Sequence, residues 1–170
     1  MKFRTLMLAA LLSLVPGFAS ASGGRAELKW TSWDQGLKTA AASKRPMLVD
    51  VYTDWCGWCR RMDHDVYSRD DVREYLSRHF VAVRLDAESP SAVSYDSRRY
   101  TESSLAARFR VSGYPTTIFL KPNGEHLVNV PGYVQADRFL LLLQYIGDGN
   151  LERGESFDDF VQKANAPSSK

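Results

Sequence analysis

Cys56 and Cys59 are the two cysteines of this 170-residue chain, and two residues separate them. They stand in Trp55-Cys56-Gly57-Trp58-Cys59, after an apolar run from Met47 to Tyr52 and before residues at helical spacing, Cys59, Met62 and Val66. That order predicts a strand-to-helix junction. At a helix start several backbone N–H groups lack partners and the dipole end is positive. Both effects favour thiolate over thiol in the first cysteine. The second lies one turn in, less exposed, and within reach of a mixed disulfide formed on the first. The chemistry indicated is thiol–disulfide exchange, with Cys56 as nucleophile and Cys59 as resolving residue. Trp55 should flank the nucleophile, Gly57 should leave the backbone room to place the pair, and Trp58 should give the site a large apolar face.

Two other uses of the pair compete. Structural zinc takes four ligands, and catalytic zinc usually takes three from the protein. The chain has two cysteines and the histidines His64, His79 and His126, which fall in separate segments with no second Cys-x-x-Cys. An inert structural bridge is the other use, but so short a loop restrains the unfolded chain little. No metal and no cofactor is implied.

The surrounding elements follow from periodicity. Leu28 to Trp33 reads as a short edge strand, and Asp34 as the N-cap of a helix to about Ser43. Met47 to Thr53 is apolar apart from Asp50, as a strand buried on both faces would be. Ser68 reads as the cap of a second helix with the apolar stripe Val72, Tyr75, Leu76 and Phe80. Val81 to Leu85 is the next strand. Residues 87–103, rich in Ser and charge, read as a loop insertion. There Tyr95, Arg98, Arg99 and Tyr100 form either a recognition surface or a plain solvated segment. A helix begins at Ser103 or Ser104. Strands Thr116 to Lys121 and Glu125 to Val130 flank the turn Pro122-Asn123-Gly124. A helix from Val134 to Ile146 and an amphipathic one over 155–165 complete the order. The fold class is therefore α/β, a mixed sheet that is parallel at first and closed by an antiparallel hairpin, with helices on both faces.

These residues resemble the thioredoxin superfamily. The resemblance rests on Val49-Asp50-Val51-Tyr52-Thr53-Asp54-Trp55-Cys56-Gly57-Trp58-Cys59 and on Gly113-Tyr114-Pro115-Thr116, and it extends over roughly residues 28–148. The nearest flavour is exported thioredoxin-like proteins, in which a basic helix start such as Arg60-Arg61 follows the cysteines. The resemblance implies a thioredoxin fold and thiol–disulfide oxidoreductase activity. It implies that Pro115 is a cis-proline facing the dithiol, where it excludes metal and shapes a peptide groove. Tyr114 would offer its backbone to an extended substrate. Asp50 would be the buried carboxylate that accepts the proton of the resolving thiol; read from its residues alone, it is either that or a solvated strand-edge aspartate. The family pattern has a lysine in the following strand near that aspartate, where Ala82 falls here. Gly-Trp between the cysteines also differs from the Gly-Pro of thioredoxin.

The N-terminus carries a second message. Lys2 and Arg4 precede an apolar run, Leu6 to Val15; Pro16-Gly17 breaks it, and Ala19-Ser20-Ala21 follows. This is the order of a secretory signal peptide over residues 1–21. A membrane anchor is the competing use, but the run is far short of the roughly 20 residues needed to span a bilayer. Removing it takes two of the 22 Lys and Arg and none of the 20 Asp and Glu, so the mature chain is formally neutral. Nothing resembles the basic stripe of a nucleic-acid-binding protein. The expected domains are 22–150, thioredoxin-like, and 151–170, a C-terminal helix and tail. The expected activity is disulfide exchange with protein substrates in a periplasmic or secreted setting, as reductant, with a membrane partner supplying electrons. The alternative is a non-enzymatic binding or chaperone module, or a metal-delivery protein, on the same fold.

Overall fold

The computed structural model describes residues 27–166; the expected signal peptide lies outside them. The elements run α1 (Trp33–Ser43), β1 (Met47–Tyr52), α2 (Gly57–Met62), α3 (Asp70–His79), β2 (Val81–Asp86), β3 (Ala92–Tyr95), β4 (Arg98–Thr101), α4 (Glu102–Arg108), β5 (Thr116–Leu120), β6 (His126–Pro131), α5 (Ala136–Gly147) and α6 (Phe157–Asn165). The main sheet has the order β2-β1-β5-β6, and β3-β4 form a separate hairpin. β1 is parallel to β2 and antiparallel to β5, and β5 is antiparallel to β6. The expected mixed sheet with a closing antiparallel hairpin is therefore present.

Alternation along the central strands builds two cores. Met47, Val49 and Val51 of β1, Val83 and Leu85 of β2, and Ile118 and Leu120 of β5 share one cluster with Trp33, Leu105 and Phe109. Leu48 and Phe119 point the other way, into a cluster with Met62, Tyr67, Leu76, Phe139 and Leu143. Asp50 belongs by parity to this second face. So do Arg84, opposite it in β2, and Thr117, opposite it in β5. Period two thus sets three polar residues in a row across a buried sheet.

α1 crosses β2 closely at Gly36. A Cβ there would enter the space of Val83 Cγ2 and sit 3.3 Å from Met47 Cε. Gly36→Ala improves helix propensity by about 1 kcal/mol, but overpacking a rigid core costs about 1–3 kcal/mol. The clash involves sheet-anchored Val83, so a net loss of stability is expected, read as a lower midpoint in thermal denaturation.

Several boundaries differ from expectation. Leu28 to Trp33 is not a strand: Thr31 alone bridges to Val83, and Trp33 already opens α1. The N-cap is Ser32, not Asp34; the Asp34 carboxylate instead accepts the Ser94 N–H and ties down the hairpin. Ser68 does not cap α3. Arg69 holds that position, and Ser68 Oγ donates to the His64 carbonyl. α5 starts at Ala136 rather than Val134.

Residues 87–103 are not a plain loop. Val93 pairs with Tyr100 across the β3-β4 hairpin, and Trp33 Nε1 donates to the Ser94 carbonyl. Tyr95 and Tyr100 pack on the first core, while Arg98 and Arg99 are exposed. Thr101 and Ser104 then form a reciprocal capping box at the start of α4, which begins at Glu102 rather than at Ser103 or Ser104. In α6, Phe157 and Phe160 pack against Tyr145 of α5. No described helix is long and apolar enough to cross a membrane.

Candidate active site

β1 delivers the chain through Thr53, Asp54 and Trp55 to the start of α2. Cys56 is the N-cap of that helix, and its Sγ accepts the Cys59 N–H at 3.0 Å. Cys56 and Cys59 form a disulfide with Cα atoms 5.3 Å apart. Both are nearly enclosed, at 3% and 6% exposure. The helix N–H that touches Sγ in the disulfide is aimed where thiolate charge would sit after reduction. Such a donor helps the charged form of Cys56 and offers nothing similar to Cys59.

The two tryptophans beside the cysteines have different partners. Trp55 and Trp58 are 64% and 55% exposed, the two large hydrophobic side chains that the described surface displays. Trp55 meets Tyr114 edge-on, with ring centroids 5.9 Å apart, and its Nε1 donates to Glu88 at 2.9 Å. Trp58 lies against Tyr133 at 5.5 Å, and the Arg61 guanidinium covers both rings. The Tyr114–Pro115 peptide bond is cis. Pro115 is buried, and its carbonyl accepts the Gly132 N–H. The sequence-predicted residues Trp55 and Tyr114 thus come together from segments about sixty positions apart. Gly57 shows no steric need for glycine: a Cβ there would meet only Arg60 Nη2, at 3.9 Å.

Behind the helix lies the polar row of the sheet. Asp50 is 3% exposed and takes a hydrogen bond from Tyr67 Oη at 3.3 Å. Arg84 Nε stands 3.6 Å from its other oxygen, an ion pair longer than a hydrogen bond. The Arg84 guanidinium is drawn instead to Asp63, with which it pairs closely through Nη2. It is held over the rings of Trp30 at 4.6 Å and Tyr52 at 5.7 Å. Burial pushes the Asp50 carboxyl up from 3.8 to about 7; Arg84 and the Tyr67 hydroxyl pull it down, and the Asp63 charge pushes it further up. The result is a buried acid that exchanges its proton near neutral pH.

The position expected to fall near the aspartate, Ala82, is opposite Leu48, and Arg84 takes the place beside Asp50. Sequence reading missed Asp63, Tyr67, Glu88 and Tyr133. Asp63 to Tyr67 form a π-helical turn, closed by Ser68 N–H donating to the Asp63 carbonyl. The wider turn leaves both Val66 and Tyr67 buried and sends Asp63 to Arg84. Two adjacent apolar residues at the end of the Cys59, Met62, Val66 stripe were the available signal. Asp63→Asn removes a negative neighbour and frees Arg84 for Asp50. The Asp50 titration, followed by carboxyl infrared absorption, should therefore move to lower pH.

Among the described residues no group of three His, Cys, Asp or Glu is placed to hold a metal ion.

Comparison with known proteins agrees with this geometry. A family model described as "Thioredoxin-like domain" matches residues 33–147. The chain is 32% identical over 112 residues to the thiol:disulfide interchange protein DsbD of Ralstonia nicotianae, covering 65% of this chain and 17% of that protein. It is 24% identical over 106 residues to the disulfide bond reductase DsbH of Chlamydia pneumoniae, covering 62% of this chain and 63% of that one. It thus spans about a sixth of the first relative and under two thirds of the second. Among solved structures, a thioredoxin from Thermus thermophilus superposes with a TM-score of 0.61 at 25% identity, over 75% of this chain and 93% of the other. A thioredoxin-fold protein from Helicobacter pylori gives 0.60 at 23%, over 71% and 80%. Because the family match takes in both cysteines and every strand of the main sheet, over more than half of the chain, this protein belongs to the thioredoxin-like domain family.

Proposed function

We propose that the chain is a thiol–disulfide oxidoreductase that reduces disulfides in protein substrates. The observation that carries this reading is Cys56 at the N-cap of α2, with the Cys59 N–H on its sulfur. In the reduced enzyme the Cys56 thiolate attacks one substrate sulfur. The substrate S–S bond breaks, a mixed disulfide forms, and the leaving thiolate takes a proton. Cys59 gives its proton to the Asp50 carboxylate and attacks Cys56 Sγ; the bond from Cys56 to the substrate breaks, and the departing thiolate takes that proton back from Asp50, the first leaving thiolate having taken its proton from water. The substrate gains two electrons and two protons, and the enzyme returns to the Cys56–Cys59 disulfide. The exposed rings of Trp55 and Trp58, with Tyr114 and Pro115, form the surface against which an extended substrate segment lies.

One feature supports the direction: the Chlamydia relative is named a disulfide bond reductase. The signal-peptide pattern supports export to a periplasm or beyond. A reductant there needs renewed electrons, so a membrane partner that reduces the Cys56–Cys59 disulfide belongs to the reading. Equilibration with a glutathione series tests the direction. A reduction potential near the thioredoxin value of about −270 mV is expected, and one near the strong-oxidant value of about −120 mV would overturn the reductant role.

A further inference from the structure

α4 ends in a helix-closing turn that carries an arginine. Arg110 N–H donates to the Ala107 carbonyl and Val111 N–H to the Ala106 carbonyl, the paired bonds of a Schellman motif. The residue in the left-handed position of that motif is ordinarily glycine. Here it is Arg110, with φ of +58°. A non-glycine residue is mildly strained there, as is Lys44 at the end of α1, with φ of +56°.

With Arg108, Phe109, Tyr95, His126 and Asn129, Arg110 borders a cavity of about 270 Å³. Arg108 and Arg110 form no ion pair among the described residues, and both are exposed, so their guanidiniums are available to an anion in this cavity. No carboxylate lines this cavity. The nearby acids Asp96 and Glu125 border the adjoining one, and Glu125 is paired with Lys121. The polar wall is also oriented: His126 Nε2 bonds to Asn129 Oδ1 at 2.7 Å, and Asn129 Nδ2 donates to the Phe109 carbonyl at 2.6 Å. Phe109 lies against Tyr95 and His126, with centroids at 5.1 and 5.5 Å, and makes an aromatic floor.

We infer that this cavity is a binding site for a phosphate monoester, with the phosphoryl group between Arg108 and Arg110. Two guanidiniums match a dianionic, multi-oxygen group better than a single-charge carboxylate. The aromatic floor accommodates the group that carries the phosphate. The site uses neither cysteine, so it stands apart from the redox reading.

The test is titration of the oxidised protein with inorganic phosphate, phenyl phosphate and acetate, followed by backbone amide NMR. Saturable shifts at Arg108 to Val111 and His126 are expected for the two phosphates, with phenyl phosphate the tighter and acetate at least about tenfold weaker. Arg110→Gly, which suits the turn, and Arg108→Gln, on the helix surface, should each weaken phosphate binding by about tenfold or more without altering disulfide exchange. Vesicles containing phosphatidic acid separate the sources. Pelleting that both variants lose assigns a lipid headgroup, and phosphate binding without pelleting assigns a free ligand. Absence of saturable shifts, equal response to acetate, or binding unchanged in both variants would overturn the inference.

Discussion

Replacing Cys56 by serine should reduce turnover of a protein disulfide by more than about a thousandfold, the scale of a lost nucleophile. The serine hydroxyl fits the same N-cap position and can take the same Cys59 N–H, so the fold should survive. What disappears is the thiolate that the helix start stabilises. Cys59→Ser behaves differently. Its first step, attack by Cys56, remains; the second step is missing, so the enzyme stalls after one event. Kinetics that separate a single turnover from steady state, measured on both variants, check this order. If the two cysteines act interchangeably, the two variants fail in the same way.

The second large effect concerns Asp50. Its carboxyl is raised from 3.8 to about 7, first by burial. A raised acid is bound to its proton more tightly in the folded than in the unfolded chain. Folding stability from this group is therefore greatest at acid pH. It is lost as pH rises from about 4 to about 7, and the loss is complete above the folded value. At about 1.4 kcal/mol per pH unit the full difference is about 4 kcal/mol. Asp50→Asn keeps an acceptor for the Tyr67 hydroxyl and leaves Arg84 with Asp63, so it should escape that loss. The variant should be more stable than the parent at pH 8, by up to about 4 kcal/mol, and nearly equal to it at pH 4. It should also resolve mixed disulfides more slowly, on the order of a hundredfold, with no inflection near pH 7. Denaturant unfolding at the two pH values and the pH dependence of resolution measure these effects independently. A variant that gains stability but keeps the parent's resolution profile would separate the buried charge from the chemistry.

The cysteine pair and the buried carboxylate proposed to act with it are legible in the sequence because they are local. The strand before Cys56, the helix after it and the one charge in an apolar run can be read between Met47 and Val66. Arg84 is not local in that sense. Its place beside Asp50 depends on the register of β1 against β2, and a shift of two would have put Ala82 there. Asp63 and Tyr67 depend on a π-helical turn, which no periodicity of 3.6 anticipates. The β3-β4 hairpin was hidden for another reason. Each strand is four residues long and shows the core only Val93, Tyr95 and Tyr100. Its turn uses Asp96 and Ser97 at positive φ instead of the Asn-Gly that marks such turns. The helix start at Ser32 was missed because Asp34, two residues on, is an equally good cap by composition, and its carboxylate is taken by the Ser94 N–H.

The central claim is that Cys56 is the attacking sulfur of a dithiol that exchanges with protein disulfides. Incubating reduced Cys59→Ser protein with envelope proteins carrying disulfides, followed by peptide mass spectrometry of the trapped species, addresses it directly. Stable adducts are expected, in which substrate cysteines are joined to Cys56 and are released by dithiothreitol. A Cys59→Ser protein that stays free of adducts while its Cys56 thiol remains reactive toward a small alkylating agent would contradict it.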